Sequence, residues 1–444
     1  MFIFLAVTLL ILQTCSCDKK PNFVIFLTDD QDVALDGMKP MKNVQRFIGN
    51  EGTTFTKSYV TSPICCPSRA SLLTGLHVHN HLTWNNSLDG GCYGRFWKRL
   101  ETHTFSNTLN AAGYSTFYAG KYLNEYGVEA AGGPQTVPPG WTEWHGLVGN
   151  SVYYDYTLSN NGVPTHSTDL YLTDVIDKHW LITMPPSPLP QNMMGELDRV
   201  YRSRWETLLS VDEMVADIVE ALDTNNLLED TYIIYTSDNG YHIGQFSQVY
   251  DKRQPYEADI KVPLLIRGPN IQKNSTDNQP VLNTDLAPTI LELAGLAATK
   301  SMDGRPIKFA EDRNIERKML VEYYGESRDG TVDPTCPWTY DYHNLAQCYP
   351  QYDCKCQDAK NNTFACLRHI SRRIDKKYCA FSDDKNFKEM YDLSKDPYEL
   401  ENIIEDQLPS VRHWYQLTLT HMLACRGADN CDNPLENKKI LSVF

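Results

Sequence analysis

The stretch NFVIFLTDD, residues 22–30, decides the fold of this chain. It is a short run of apolar and β-forming residues that ends abruptly in two carboxylates, a pattern that predicts a buried strand with acidic groups at its carboxyl end. The stretch YIIYTSDNG, residues 232–240, repeats this pattern much later in the chain. Because ligands of α/β sheets bind beyond the carboxyl ends of the strands, both polar endings are candidates for one site.

Further strands and helices alternate between these two stretches. We predict weaker strands at 115–119 and 262–266, and helices at 102–112, 205–222 and 285–293. Apolar residues recur at helical spacing in the helical segments, and glycines follow two of them. The alternation favours an α/β fold with a doubly wound, mostly parallel sheet flanked by helices.

The sequence changes character after about residue 305, where cysteines, aromatics and turn residues replace the strand–helix alternation. We predict a catalytic α/β domain over 18–305 and a smaller, cysteine-rich α+β subdomain stapled by disulfides over 306–444. A zinc knuckle is the alternative use of these cysteines, although their spacing is irregular for one. The six cysteines of this stretch are Cys336, Cys348, Cys354, Cys356, Cys366 and Cys379.

Composition limits the class of protein. The chain has 444 residues, 41% of them hydrophobic, which excludes wholesale disorder. Its formal net charge of −15 argues against general nucleic-acid binding. The same charge repels a polyanionic substrate at neutral pH, and part of that repulsion fades in an acidic compartment as carboxylates protonate.

The chain begins MFIFLAVTLLILQTCSC, and this apolar stretch predicts a signal peptide over 1–17. An uncleaved anchor is the alternative, but we expect no stable membrane anchor in the mature protein. Three N-x-S/T sites, at Asn85, Asn274 and Asn361, fit the secretory route as candidate glycosylation sites. Removing two signal-peptide cysteines and Cys65 from the 13 leaves an even number for disulfides.

The stretch CCPSRASLLTG, residues 65–75, carries the chemistry. A C-x-P-S-R segment followed by a short helix and Thr-Gly resembles the sulfatase family, whose fold is of the alkaline-phosphatase type. The resemblance implies that Cys65, and not Cys66, is oxidised to formylglycine (3-oxoalanine) by the formylglycine-generating enzyme during maturation. The alternative is that the two cysteines are an ordinary structural pair.

The implied modification suits sulfate esters, which need a strong nucleophile and stabilisation of the sulfuryl oxygens. A hydrated aldehyde offers two hydroxyls on one carbon. The resemblance implies that one hydroxyl attacks sulfur and releases the alcohol, and that the other then loses its proton so that sulfate is expelled. A serine would instead be left holding a stable sulfate ester.

The polar strand ends predict a metal site. Asp29, Asp30, Asp238 and Asn239 offer oxygen donors and no soft ligand, which suits a hard cation such as calcium or magnesium. An Asp-Asp pair alone is more typical of a turn or a helix cap. The family resemblance implies one calcium ion, held by these four residues together with the modified Cys65.

Three cations and two further residues complete the predicted site. Arg69 lies four residues after Cys65 and can brace the modified side chain. The resemblance implies that Lys121 and Lys252 bind the sulfate oxygens, although single lysines are usually solvated. His242 and Asn124 are predicted to contact the substrate, and a loop histidine is about as often incidental.

Two other metal chemistries are weaker interpretations. His77, His79 and His81 recur at every second residue, but no acidic or cysteine ligand accompanies them in the sequence, so we favour packing or substrate contacts. Phosphatases of the same superfamily use histidine-rich zinc sites. Asn239 stands where such a site carries an Asp-His pair, which ranks this reading low.

Further similarity points to the substrate. The stretch GKYLNEYG, residues 120–127, and the C-terminal stretches DPTCP, 333–337, and NNTFAC, 361–366, resemble a branch of the family that acts on glycosaminoglycans. The resemblance implies hydrolysis of the 6-sulfate of N-acetylglucosamine units in heparan sulfate and keratan sulfate. It also implies delivery to the lysosome, with the extracellular space as the alternative destination.

One departure from the family pattern concerns a histidine. Relatives have a strand ending in His-x-Pro between the positions of Lys121 and Asp238, and this chain contains no His-x-Pro. Residues 171–175 run directly into 178–181, two segments that the strand separates in relatives. The alternative function is therefore a catalytically impaired protein that binds sulfated glycans.

Overall fold

The computed structural model describes residues 20–150, 155–167, 191–247, 250–309, 316–325, 362–383 and 386–432. Its strands are β1 Asn22–Thr28, β2 Thr53–Phe55, β3 Ser58–Tyr59, β4 Phe117–Lys121, β5 Glu143–Leu147, β6 Tyr156–Asn160, β7 Val163–Ser167, β8 Thr231–Ser237, β9 His242–Ile243, β10 Tyr250–Asp251, β11 Leu264–Arg267, β12 Ser275–Asp277, β13 Val281–Leu282, β14 Arg317–Tyr323, β15 Phe364–Ile370, β16 Asp375–Phe381 and β17 Lys388–Asp392.

The helices follow the same order along the chain. They are α1 Lys42–Val44, α2 Cys65–Thr74, α3 Val78–His81, α4 Arg95–Leu100, α5 Phe105–Ala111, α6 Gln191–Thr224, α7 Glu257–Ile260, α8 Leu286–Leu293, α9 Pro409–Met422 and α10 Ala428–Asp432. Shorter helical turns lie at Gln45–Gly49, Glu101–His103, Glu129–Ala131, Leu228–Asp230, Gln245–Ser247 and Asn283–Asp285.

The central sheet has the strand order β1-β8-β11-β2-β12, and its first two strands are the two stretches that the sequence singled out. β1 and β8 are parallel, with Thr28 opposite Ser237, so their acidic endings leave the sheet side by side. Helices cover both faces of the sheet, so alternate residues of β8 pack into two different hydrophobic cores. Tyr232 and Ile234 pack with α2, α5 and α8, whereas Ile233 and Tyr235 pack with α1 and α6.

The α/β fold is confirmed, and the sheet is mixed rather than mostly parallel. β12 runs parallel to β2, but β11 runs antiparallel to both of its neighbours, β8 and β2. The reason lies in the connection that precedes β11. The chain leaves β8 at the carboxyl edge, forms the β9–β10 hairpin and α7 there, and re-enters the sheet from that same edge.

The strand predicted at 115–119 forms as β4, but it belongs to a separate sheet of order β4-β5-β6-β7. β4 pairs in parallel with β5, and the other two pairings are antiparallel. An aromatic cluster anchors this sheet to the main core: Tyr118 stacks on Trp144 with ring centroids 4.8 Å apart, and Tyr122 and Tyr126 meet the same indole edge-on. Lys121 ends β4 and thereby approaches the end of β1.

The C-terminal part forms an antiparallel sheet of order β14-β15-β16-β17. One face packs against α9. The other packs against Tyr59 of β3, Ile64 just before α2 and Ile260 of α7. Disulfides join Cys366 of β15 to the opposite Cys379 of β16, and Cys425 to Cys431. The expected disulfide-rich α+β architecture is confirmed, and these four cysteines are not free thiolate ligands.

Several predictions lie outside the described residues: the signal peptide, the glycosylation site Asn361, and the cysteines Cys336, Cys348, Cys354 and Cys356. The junction of 171–175 with 178–181 lies outside them as well. Within the described ranges, no helix is both long enough and apolar enough to cross a membrane.

Candidate active site

Helix α2 presents Cys65 as its first residue, and every residue of the helix is buried. Cys66 is tied to Cys92 by a disulfide, and its backbone N–H donates to Asn86 at 2.9 Å. Cys65 is the free thiol among the cysteines that the structure describes. The two adjacent cysteines therefore differ in kind: Cys66 anchors the helix start, and Cys65 is left for chemistry.

A compact carboxylate cluster surrounds the Cys65 thiol. Ligand atoms of Asp29, Asp30, Asp238 and Cys65 all lie within 4.8 Å of one another. The Cys65 Sγ is 3.4 Å from Asp29 Oδ1. The predicted convergence of two strand ends on the start of α2 is thus what the fold produces, because β1 and β8 end in register.

Arg69 lies one helical turn after Cys65 and therefore on the same side of α2. Its Nε donates to Asp238 Oδ2 at 2.7 Å, one terminal nitrogen donates to the Lys121 carbonyl at 2.7 Å, and another lies 3.5 Å from Asp29. The guanidinium is only 4% exposed. A planar fork of donors suits this task, since one side chain fixes the ends of β1, β4 and β8.

The two predicted sulfate-binding lysines lie on the carboxylates. Lys121 Nζ is 2.8 Å from Asp29 Oδ2, and Lys252 forms an ion pair with Asp30. Both ammonium groups are more than nine-tenths buried. They are therefore fixed charges at the site rather than solvated surface lysines.

The charges strongly perturb the acidities. Burial alone raises the pKa of Asp29, but Lys121, Arg69 and Lys252 together hold that pKa well below its ordinary value. Burial and the neighbouring Asp29 charge raise the pKa of Asp238 to about 7. Burial likewise raises the pKa of the Cys65 thiol to about 12, so unmodified Cys65 is a neutral and weakly nucleophilic thiol.

Asn239 supplies the observation that tests the fit of a cation. Its Nδ2 donates to Asp30 Oδ1 at 2.6 Å, while its Oδ1 is buried and accepts no hydrogen bond within the described part of the chain. A buried carbonyl oxygen without a donor is costly unless a cation or water meets it. With the carboxylates of Asp29, Asp30 and Asp238, it makes an all-oxygen set that fits calcium or magnesium.

The backbone at Asn239 is held by a close approach. A side chain on Gly240 would meet the Ala258 carbonyl at 2.0 Å, so only glycine fits there. The Gly240 N–H donates to the Asp259 carbonyl at 2.8 Å. This contact joins the end of β8 to α7.

His242 is oriented by a residue that sequence reasoning missed. Its Nδ1 lies 2.9 and 3.0 Å from the two oxygens of Asp259, which is fully buried and also accepts from the Gln254 N–H at 2.8 Å. The His242 Nε2 is buried and has no hydrogen-bond partner among the described residues. An Asp seventeen positions away, on a four-residue helix, gives no pattern that links it to a histidine.

The remaining predicted residues are placed as follows. Asn124 is buried, and its Nδ2 donates to Asn150 at 3.0 Å. Of the candidate glycosylation sites, Asn274 is exposed, whereas Asn85 is only 9% exposed and its Oδ1 accepts from the backbone and hydroxyl of Ser87.

The three alternating histidines have structural partners rather than a common ligand. His81 lies 2.9 Å from the Ser71 hydroxyl of α2, and His79 lies 2.8 Å from Glu322 of β14. His77 stacks on His79 at 5.7 Å and is fixed by its N–H to Asp303. His77 lies near Cys425 and Cys431, but their disulfide takes up both sulfurs.

Two family models match the chain. The model described as Sulfatase matches residues 21–296, and the model described as N-sulphoglucosamine sulphohydrolase, C-terminal, matches residues 244–361. The chain is 42% identical to the N-acetylglucosamine-6-sulfatase of Capra hircus, over 94% of this chain and 85% of the goat protein. It is 41% identical to that of Homo sapiens, over 94% of this chain and 86% of the human protein.

Solved structures share the fold. The structure of BT4656 in complex with its substrate D-glucosamine-2-N,6-O-disulfate superimposes with a TM-score of 0.66 at 21% identity, covering 91% of this chain and 97% of that one. The phosphonate monoester hydrolase of Silicibacter pomeroyi superimposes with a TM-score of 0.60 at 18% identity, covering 91% of this chain and 94% of that one. At these identities the likeness shows a common fold alone.

Proposed function

Since this chain belongs to the sulfatase family of sulfuric ester hydrolases, we propose that it hydrolyses the 6-O-sulfate ester of N-acetylglucosamine 6-sulfate units in heparan sulfate and keratan sulfate. The reaction adds water across the ester and releases the sugar hydroxyl and sulfate. Support for the substrate comes from the goat and human relatives, which are named for this activity and align over nearly all of the chain.

We propose Cys65, converted to formylglycine, as the nucleophilic residue. One observation carries this proposal: a free, buried thiol at the first position of α2, 3.4 Å from Asp29 and ringed by Arg69, Lys121 and Lys252 charges. An unmodified thiol is neutral there, which leaves it without the charge that a thiolate nucleophile needs. The hydrated aldehyde supplies two hydroxyls on one carbon, as sulfuryl transfer and release require.

We propose that Asp29, Asp30, Asp238, Asn239 and the modified Cys65 hold one calcium ion. The buried, unpartnered Asn239 Oδ1 and the three carboxylates form an all-oxygen donor set. Bound there, the ion would polarise the sulfate group and orient the nucleophile. Arg69 keeps the carboxylates in place by its bonds to Asp238 and its approach to Asp29.

The cations and polar groups of this chain would receive the substrate. We propose that Lys121 and Lys252 bind the sulfate oxygens. Their ammonium groups are buried, and they lie close enough to Cys65 for their positive charges to act on its thiol. Asp259 orients the His242 ring at Nδ1, and we propose that the buried Nε2, which has no partner among the described residues, contacts a sugar hydroxyl. Asn124, with its Oδ1 buried and unpartnered among the described residues, is proposed as a second substrate contact.

Maturation and location follow from the same proposal. The formylglycine-generating enzyme is the required partner, and a sulfated glycosaminoglycan is the substrate. We propose delivery by the secretory route to the lysosome, with the extracellular space as the alternative. We propose glycosylation at the exposed Asn274 and at Asn361, whereas the burial of Asn85 and its bonds to Ser87 argue against the predicted glycan there.

The test is sulfate release from an oligosaccharide that ends in N-acetylglucosamine 6-sulfate, at acidic pH. The protein is co-expressed with the formylglycine-generating enzyme, and the modification at residue 65 is verified by peptide mass spectrometry. We expect Cys65→Ser to lower turnover by about a thousandfold or more, since removing a nucleophile removes its whole pathway.

The matched control is Thr74→Ser at the far end of α2, where the hydroxyl bonds to the Ala70 carbonyl. This conservative change should leave turnover within about twofold, as changes outside the reacting groups usually do. Unchanged turnover in Cys65→Ser would overturn the proposed nucleophile. Release from an N-sulfated or 2-O-sulfated sugar, but not from the 6-sulfate, would overturn the proposed substrate.

A second function is favoured by one observation. The alignment with the goat protein runs over 484 positions, more than this chain's 444 residues, so the relative has insertions that this chain lacks. Within the described residues, β1 has a hydrogen-bonded neighbour on one side only. Binding of sulfated glycan without any release, despite verified formylglycine, would identify a catalytically impaired glycan-binding protein.

A further inference from the structure

The segment Lys252–Glu257 brings Lys252 to the active site. Its backbone is not stabilised by regular secondary structure and includes an unfavourable conformation. It follows the short β9–β10 hairpin and ends at the first residue of the four-residue α7, so neither side is a long regular element. Arg253 has φ 91°, a left-handed conformation that an L-residue rarely adopts. Such a conformation persists only where surrounding contacts fix it.

Within the catalytic part, the Arg253 N–H donates to the Pro63 carbonyl and the Gln254 N–H donates to Asp259. Three further contacts come from the C-terminal part. Lys377 of β16, fully buried, donates from Nζ to the Pro255 carbonyl at 2.5 Å. Asn362, just before β15, donates to the Arg253 carbonyl at 3.0 Å. The Glu257 N–H, at the start of α7, donates to Glu399 at 2.8 Å.

These contacts belong to one buried group of opposite charges, which we name the clamp cluster: Lys377, Arg368, Glu257, Glu399 and Asp375. Lys377 forms an ion pair with Glu399 and lies 3.8 Å from Glu257, while Arg368 lies 3.2 Å from Glu257 and 2.5 Å from Asp375. A buried charge of this kind is costly unless its partners are all in place. These ion pairs therefore favour a single arrangement of the cluster. The segment is held in that arrangement, because its last residue, Glu257, is one of the paired carboxylates.

Glu399 adds a second strained point. It is 3% exposed and has φ 59°, again left-handed for a residue with a side chain. Its carboxylate bridges Lys377 on one side and the Glu257 backbone on the other. Strain at both Arg253 and Glu399 indicates that the surrounding contacts hold this geometry against local preference.

We infer that Lys377 is a positioning residue for sulfate binding: through the Pro255 carbonyl and Glu399 it holds the segment that presents Lys252. The inference rests on the proposed function for the role of Lys252, but the hold on the segment does not depend on it. The C-terminal subdomain thereby completes the active site without contributing a group to it.

Two measurements on full-length, formylglycine-containing protein test the inference. The first is hydrogen exchange with mass spectrometry on Lys377→Met, which should speed exchange in 252–257 and leave α2 unchanged. The control is Asp212→Ala, which removes a buried carboxylate that caps α1 from α6 and should destabilise the protein without selective exchange in 252–257.

The second measurement is a double-mutant cycle on sulfate release. Lys377→Met should lower kcat/KM by about ten- to a hundredfold, the cost of misplacing a binding group. In a Lys252→Gln background, assayed for residual turnover at high enzyme concentration, the same change should cost less than about twofold, because its target is already gone. If Lys377→Met does not fold, Lys377→Arg replaces it, since arginine keeps the buried charge beside Glu399 while its planar head group alters the bond to the Pro255 carbonyl.

The outcomes separate the two proposals. Unchanged exchange in 252–257 overturns the positioning role, and so does a loss in kcat/KM that simply adds to that of Lys252→Gln. If the wild-type protein releases no sulfate, the proposed function fails, while the exchange experiment still decides whether Lys377 holds the segment.

Discussion

Two buried groups of opposite charges lie at the two ends of the segment Lys252–Glu257, and they differ in how they are completed. In the clamp cluster, Lys377 and Arg368 have carboxylate partners throughout, and Lys377 is fully buried. In the carboxylate cluster, Asp29 remains 28% exposed, Asn239 Oδ1 lacks a partner within the described residues, and Cys65 has no disulfide. The carboxylates of both groups are ion-paired, and the difference lies in the amide oxygen of Asn239 and the free thiol of Cys65, which, in the described part of the chain, only the carboxylate cluster has beside it.

The comparison teaches how similar residues take different roles. Both groups combine lysine, arginine and carboxylates, and burial perturbs acidity in both. The group at the strand ends also brings ligand atoms of three carboxylates and a free thiol within 4.8 Å of one another. Buried ion pairs alone therefore do not indicate a site. A neutral amide oxygen and a free thiol beside them, both able to bind a ligand, do.

The largest expected effect contrasts Lys377 with Lys252. Lys377→Met should lower the free energy of unfolding by about 3–5 kcal/mol, because it leaves Glu399 buried without its cation. Lys252→Met, measured with millimolar calcium, should cost less than about 1 kcal/mol, because the bound cation compensates Asp30. Urea denaturation of both variants measures the difference. Equal losses would contradict the distinction between the two groups.

A somewhat smaller effect concerns Glu389 of β17, which faces the clamp cluster. Burial raises its pKa to about 7, and Lys377, Tyr391, Glu399 and Tyr256 surround it. Between its ordinary pKa of 4.5 and about 7, the folded protein keeps a proton that the unfolded chain has lost. Stability should therefore fall as pH rises through this window, by about 3 kcal/mol in total.

Glu389→Gln isolates this contribution, because an amide keeps the shape and carries no titrating proton. The variant should match the wild type near pH 4.5 and exceed it in melting temperature near pH 7.5. Thermal denaturation across this range measures the difference. A pH dependence that is the same in both proteins would show that Glu389 does not carry it.

The smallest of these effects is the response to calcium. A hundredfold excess of ion over its dissociation constant should stabilise the protein by about 2.7 kcal/mol, and chelation should reverse this. Asp238→Asn should remove most of the response, whereas Glu257→Gln in the clamp cluster should keep it. A stabilisation that survives Asp238→Asn would place the ion elsewhere.

Much of the fold was predictable from local patterns. The two strands within 22–30 and 232–240, and the placement of Asp29, Asp30 and Asp238 at one edge of the sheet, follow from apolar runs that end in carboxylates. The direction of β11 was not predictable, because it depends on which edge the chain uses to return. The membership of β4 in a second sheet depends likewise on its pairing with β5, which no local pattern encodes.

The residues that escaped sequence reasoning act at long range. Asp259 and Lys377 meet their partners only after folding, and each is of a residue type that is usually exposed. Lys377 follows Lys376 in β16, and two adjacent lysines predict a strand that is exposed to solvent. In the structure Lys377 is buried and Lys376 is half-buried. The roles assigned to Lys121, Lys252, His242 and Asn124 stay predictions until turnover is measured.

The complete burial of α2 has a consequence for the order of events in biogenesis. Cys65 is 1% exposed, and the next residue is locked to Cys92. An oxidising enzyme has no access to a thiol in that position, so the proposed modification would have to be installed while the nascent polypeptide is still extended. The folded molecule would then shield the proposed aldehyde from the amines of other proteins, and a copy that folded unmodified would have no later opportunity for repair.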